Sequence, residues 1–205
     1  MFRAIDNYHP VPTSHRARWF IVLTGVALIC AHTQAAVIGA KVYRVPDGPG
    51  GLKTIQNWYS VGSDPQGTIY VTASDHKTNS AMFRLTRESS TLEYVGDART
   101  ASQAVNNLLS GETFEKIHVR PTWINGKVYV ASMDYSNYDA GYLNQRGFHW
   151  YAYDPTAGSF TDLSASEPDG VAAGKLQCEF IHPDPNGQWI WAAAVPTGHL
   201  LRYDI

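Results

Sequence analysis

A module of about sixty residues recurs along this chain, and that recurrence limits what it can fold into. Gly67-Thr-Ile-Tyr-Val-Thr-Ala-Ser74 answers to Gly126-Lys-Val-Tyr-Val-Ala-Ser132, and Asp64-Pro-Gln-Gly67 answers to Asp184-Pro-Asn-Gly187. His149-Trp-Tyr-Ala-Tyr-Asp154 likewise matches His199-Leu-Leu-Arg-Tyr-Asp204. Tyr70 and Tyr129 are 59 positions apart, and Gly126 and Gly187 are 61 apart. Lys116 to Leu163 holds four short runs rich in Val, Tyr, Trp, Phe and Thr, divided by turn residues. Such a stretch predicts a four-stranded antiparallel meander. Asn125-Gly126 marks a tight hairpin, because both residues tolerate positive φ. Asp154-Pro-Thr-Ala-Gly158 marks a longer one. A repeat of this size with four strands per unit predicts an all-β partial β-propeller of about three four-stranded antiparallel blades. The blades fall at about residues 55–96, 115–164 and 176–205. Three unrelated hairpins in a sandwich remain the alternative.

Between the first two blades, Ala101, Ala104, Val105, Leu108 and Leu109 have helical spacing, which predicts one short helix in the connection, ending at Gly111. Val37 to Arg44 reads as a further strand. Three blades cannot close a ring of the roughly 4–8 that propellers use. The expectation is therefore missing blades in a longer protein, or copies that assemble to close a ring, since bare sheet edges invite aggregation.

Residues 1–36 read as a secretory signal peptide: Arg16 and Arg18, an apolar run from Trp19 to Ala31, then small residues with cleavage expected near Ala35 or Ala36. The apolar run is shorter than the ~20 residues of a spanning helix, so no membrane association is expected after cleavage, and the mature domain (37–205) is expected to be secreted or periplasmic. It would keep 13 Lys and Arg against 17 Asp and Glu, a formal charge of −4. Without a polybasic patch, nucleic acid is not an expected partner. Cys178 would be its sole cysteine, so no internal disulfide can form.

Chemistry can be sought in two places. The first is a pair of loops in equivalent positions, Ser74–Asn79 and Met133–Tyr138. At the 59-residue offset His76 aligns with Tyr135, so an imidazole and a phenol from neighbouring blades could share one rim as acid and base. Arg146 opens a strand beside that rim and offers a fork for a carboxylate. Lys77, Asn79, Asn137, Tyr138 and Tyr142 are the candidate substrate-binding residues around it. The same Asp, Asn, Ser and Thr residues are also ordinary turn formers. Asp75 and Asp134 form the one matched carboxylate pair that a hydrolase would need. The second place is His149, Cys178, His182 and His199. Cys178 and His182 are four apart, which on a strand puts both on one side, and a thiolate with imidazoles is a zinc ligand set. A buried cysteine among plain strand histidines is the other reading. His118 lies on the innermost strand of its blade and could face a central channel.

The series Lys116-Ile-His, Gly126-Lys-Val-Tyr, Arg146-Gly-Phe-His-Trp-Tyr-Ala-Tyr-Asp-Pro and Pro196-Thr-Gly-His-Leu-Leu-Arg-Tyr-Asp resembles the blade pattern of secreted bacterial β-propeller polysaccharide lyases, the ulvan lyases above all. The resemblance spans about Trp58 to Asp204. It implies cleavage of a uronate-containing acidic polysaccharide by β-elimination. His76 and Tyr135 would then move protons, Tyr138 and Tyr142 being rivals for the tyrosine. Arg146 would neutralise the uronate, and a structural zinc would sit on His149, Cys178 and His182. A second histidine of that family is missing, its region reading Gln56-Asn57-Trp58-Tyr59. A non-catalytic propeller that binds glycans or proteins at the cell surface is the competing expectation.

Overall fold

Asn125 and Gly126 have φ of +48° and +86°, the geometry of a type I′ turn. They join β5 (Thr122–Ile124) to β6 (Lys127–Ala131) with Ile124 opposite Lys127. The two Asp-Pro-x-Gly turns also close alike: the Gly67 N–H donates to the Asp64 carbonyl at 3.1 Å, and the Gly187 N–H to that of Asp184 at 3.0 Å. The computed structural model describes residues 40–134 and 145–205. Tyr135, Asn137, Tyr138 and Tyr142 lie outside these residues.

The described residues are all-β but for one α-helix and short 3-10 turns, and their four sheets are antiparallel. The first sheet runs β1 (Val61–Ser63), β2 (Ile69–Ser74), β3 (Ser80–Leu85), β4 (Glu93–Asp97), in chain order. The second runs β5, β6, β8 (Trp150–Asp154), β9 (Ser159–Asp162). A third of three strands runs β11 (Gln177–Pro183), β12 (Trp189–Val195), β13 (His199–Asp204). The small fourth pairs β7 (Gly147–Phe148) with β10 (Ala173–Gly174). None of the described sheets closes into a barrel. The inner strands of the first two sheets are buried almost continuously, as apolar strands covered on both faces must be, while β12 of the third buries alternate residues.

The sheets pack through those faces, and the first strands of successive sheets adjoin: β1 lies against β5, and β5 against β11. Tyr70 of the first sheet meets Tyr153 of the second with rings 6.1 Å apart, and Arg84 donates to the Tyr153 hydroxyl at 3.0 Å. Trp150 of the second meets Tyr203 of the third at 5.5 Å. Phe114, wholly buried, packs edge-on to Tyr151; burying such a ring stabilises by about 1.5–3 kcal/mol. A second core, Leu52, Val71, Ala73, Ala81 and Phe83, fills the other face of the first sheet, under Val45 and Leu92.

Two expectations are corrected. The helix α1 spans Ala98–Ala104, earlier than its apolar spacing suggests, because Asp97 caps it by accepting the Thr100 N–H at 2.8 Å. Ala40 to Arg44 forms no strand, and Val42 is 90% exposed there. The adjoining first strands set one sharp steric demand. A Cβ at Gly62 would stand 1.9 Å from the Pro121 carbonyl oxygen. Gly62→Ala is expected to lower unfolding stability by about 1–3 kcal/mol in urea titration, because backbone must move to admit it. Gly174→Ala, where the nearest atom is Arg146 O at 3.9 Å, is expected to change little.

Candidate functional site

The first strand of the second sheet is extended at its start by a bridge between Lys116 and Met133, and that of the first by one between Gln56 and Ser74. Side chains of these two segments meet at the seam between the sheets. Ser60 and Thr72 both donate to the Ile117 carbonyl, at 2.6 and 2.9 Å. Fixing Ile117 fixes its neighbours Lys116 and His118, whose side chains point the other way along the strand. His118 stands edge-on to Trp58 with ring centres 6.1 Å apart, and 5.8 Å from the ring of Tyr59. Its Nδ1 lies 2.9 Å from Glu179 Oε2, within ion-pair range but off the direction of a hydrogen bond. The Lys116 ammonium lies over the Trp58 ring at 4.8 Å.

His76 joins this group from the loop after β2, its ring 6.3 Å from that of Trp58. The loop is built on Asp75, whose Oδ1 accepts the N–H groups of Lys77, Thr78 and Asn79. That wrap holds His76 at φ +58°. Burial, and then the charge of Lys116, lower the His76 pKa below its ordinary 6.5, so the imidazole is neutral at neutral pH. Glu115, just before Lys116, is raised to about 7 by burial and by repulsion from Asp134 and Asp75. Asn79 is a brace: it donates to Asp97 at 2.7 Å and accepts from Ser80 and Arg99. Lys77 is exposed on the same loop.

Arg146 and His149 belong to a different place, the packed interior behind the second sheet. The Arg146 side chain is 13% exposed and ion-paired to Glu112 at 3.1 Å. It also donates to Asn107 and to the carbonyls of Asp169 and Gly170. The guanidinium that the sequence offered to a substrate carboxylate is thus held by Glu112, Asn107 and two carbonyls of its own chain. His149 is fully buried, with Nδ1 2.7 Å from Asp162 and Nε2 3.1 Å from Glu112. Carboxylates only accept, so both nitrogens carry protons. Burial alone would discharge the ring, but the hydrogen bonds from Asp162 and Glu112 hold its pKa above 6.5. Those bonds in turn outweigh burial on both carboxyls and lower their pKa values.

The expected zinc set is not brought together. Cys178 pairs with Ala194, but Phe180 pairs with Ala193, so Glu179 is a β-bulge. The bulge turns His182 to the opposite face from Cys178. Burial pushes the Cys178 thiol pKa up. His182 is exposed opposite Trp191, and His199 is exposed at the start of β13. Among the described residues no three His, Cys, Asp or Glu side chains are grouped to hold a metal.

Of the sequence candidates, then, His76 sits in the seam; Arg146 and His149 do not. Trp58, Tyr59, Lys116 and Glu179 were not singled out. A signal for three of the seam residues existed: the 59- and 61-residue offsets carry Tyr59 onto His118 and His118 onto Glu179. Neither a protein-family model nor a curated protein sequence matches the chain.

The buried network makes stability depend on pH. His149, with its raised pKa, contributes stability that is whole below pH 6.5 and is lost as pH rises through the raised value. Glu112 and Asp162 contribute stability that is whole above 4.5 and 3.8 and is lost as pH falls through their lowered values. The urea midpoint is therefore expected to peak between about pH 4.5 and 6.5 and to decline toward pH 9. In His149→Gln the alkaline decline should vanish, and stability below pH 6.5 should fall by about 3 kcal/mol or more, Asp162 losing its charged partner while Glu112 keeps Arg146.

Proposed function

We propose that this chain is an exported protein of β-propeller type that binds an acidic polysaccharide and cleaves it by β-elimination, as the polysaccharide lyases it resembles do. The blade reading is supported by equivalent turns at equivalent positions and by first strands that adjoin from sheet to sheet. The observation that carries the activity is the meeting of His76 and Lys116, from separate sheets, around Trp58.

The chemistry follows from those three groups. Trp58, 41% exposed, gives a sugar ring an apolar face. The Lys116 ammonium offsets the uronate carboxylate, which acidifies the proton on the adjacent carbon; without a cation the carbanion-like intermediate is too costly. Neutral His76 takes that proton. The electron pair becomes the new carbon–carbon double bond as the glycosidic oxygen leaves, and that oxygen takes a proton from a second acid. Tyr135 is the sequence's candidate for this acid.

Incubation with ulvan, alginate, pectin and heparinoids is expected to raise ultraviolet absorbance from the unsaturated product with one of them. His76→Ala should lower kcat by about 10²–10⁴ with KM little changed. The acidic limb of kcat/KM should fall below pH 6.5, where the imidazole's ordinary value lies. Absence of product from every polymer would defeat the lyase reading. A non-catalytic glycan-binding role is favoured by the aromatic surface itself, with Tyr59 80% exposed beside Trp58. It predicts retention on polyuronate affinity gels that survives His76→Ala while wild type forms no product.

A further inference from the structure

The seam does not end at His118. Two residues on from His118, just before β5, Arg120 is exposed while Val119 and Pro121 on either side of it are buried. It opens onto a cleft of about 470 Å³ at the opposite end of the adjoining first strands from His76. All three large sheets contribute: Ser63 and Asp64 from the first, Arg120 to Trp123 from the second, and Ile181 to Pro183 from the third. A space of this size suits one or two sugar rings.

Its charges are arranged for an anion. The Arg120 guanidinium has no carboxylate and no hydrogen-bond acceptor among the described residues, unlike Arg84, Arg146 and Arg202, which each hold one. His182 Nδ1 donates to the Pro183 carbonyl at 2.8 Å, which fixes the ring and leaves Nε2 to a ligand. Asp64 also lines the cleft, but its oxygens accept the Thr68 N–H at 2.8 Å and the Tyr70 hydroxyl at 3.1 Å. It therefore faces its own hairpin, not Arg120. Trp123 adds an aromatic wall. A guanidinium, an imidazole and an indole around one cleft are what an anionic sugar residue requires.

We propose that this cleft is a second binding site, which takes a carboxylate- or sulfate-bearing residue of a glycan chain lying along the seam, with Arg120 as its charge contact. The glycan class rests on the reading given under Proposed function; the cleft and its charges do not. A polymer held at Arg120 would be presented lengthwise to His118, Trp58 and His76, so chain length, not the reacting residue alone, would set affinity.

Calorimetric titration of the whole protein tests this, in a Trp58→Ala background so that the first site does not report. The probes are tri-galacturonate, its methyl ester and a heparin-derived trisaccharide. At least one acidic probe is expected to bind, and the ester to bind far more weakly. Preference between galacturonate and heparin probes separates carboxylate from sulfate. Adding Arg120→Gln should weaken acid binding about tenfold or more, the worth of a charge-assisted contact. Equal affinity with and without Arg120, equal binding of the ester, or no binding of any acidic probe would overturn the proposal. Arg120-dependent binding without unsaturated product would uphold it while removing the lyase reading. Product formed at an unchanged KM by Arg120→Gln would do the reverse.

Discussion

One carbonyl organises the seam. Ile117 O accepts the Thr72 hydroxyl and shares the Ser60 proton with the Trp58 carbonyl, and both hydroxyls are almost wholly buried. Leaving that oxygen unpaired in the interior would cost about 1–3 kcal/mol, so the two first strands are locked in a single register. Gly62 then lets the backbones close further along, at Pro121. Everything the seam presents follows from this lock. Lys116, His118 and Arg120 alternate with buried Ile117, Val119 and Pro121, so all three must emerge on the open side.

The buried network behind the second sheet answers a different demand. Arg146 and His149 carry positive charge, Glu112 and Asp162 negative, and the four sum to zero in a region with little water. Each charge alone would be costly there; paired and hydrogen-bonded, they are sustainable. Asn107 and Ser102 complete the acceptor count on Asp162, at 2.9 and 2.7 Å. The network ties α1, the loop to Glu112 and the strands β7 to β9 into one piece. The Glu112 end leads back through Thr113, Phe114 and Glu115 to Lys116, so it also fixes where the seam begins.

The sequence made the turns and the meanders legible, because Asn-Gly and Asp-Pro-x-Gly act through local φ preferences that packing seldom overrides. It made the repeat legible too, and with it the loop that carries His76. What it hid was side: which face a residue takes and what meets it there. The spacing of four between Cys178 and His182 implies one face, but one extra residue at Glu179 reverses it. Arg146 is a good carboxylate fork, and a carboxylate does take it, Glu112, which lies in the stretch that breaks the repeat and so drew no attention. Carrying the 59- and 61-residue offsets through the first strands, instead of the rim loops alone, would have aligned Tyr59, His118 and Glu179 and pointed to the seam.

The same geometry weighs between the two kinds of glycan cleavage. Hydrolysis needs two carboxyls free to act on one bond. Asp75 is occupied by three N–H groups and the Thr78 hydroxyl, and these bonds hold its pKa down despite burial. Asp134 accepts from Thr113 at 2.9 Å, while its backbone is bound on both sides by Gln177. Asp75 thus holds its own loop, and Asp134 ties its backbone and carboxylate to Gln177 and Thr113. Their negative charge still acts at a distance, by raising Glu115 toward neutrality. Hydrolysis therefore loses the one carboxylate pair that the repeat assigned to it, whereas the proposed elimination does not draw on that pair.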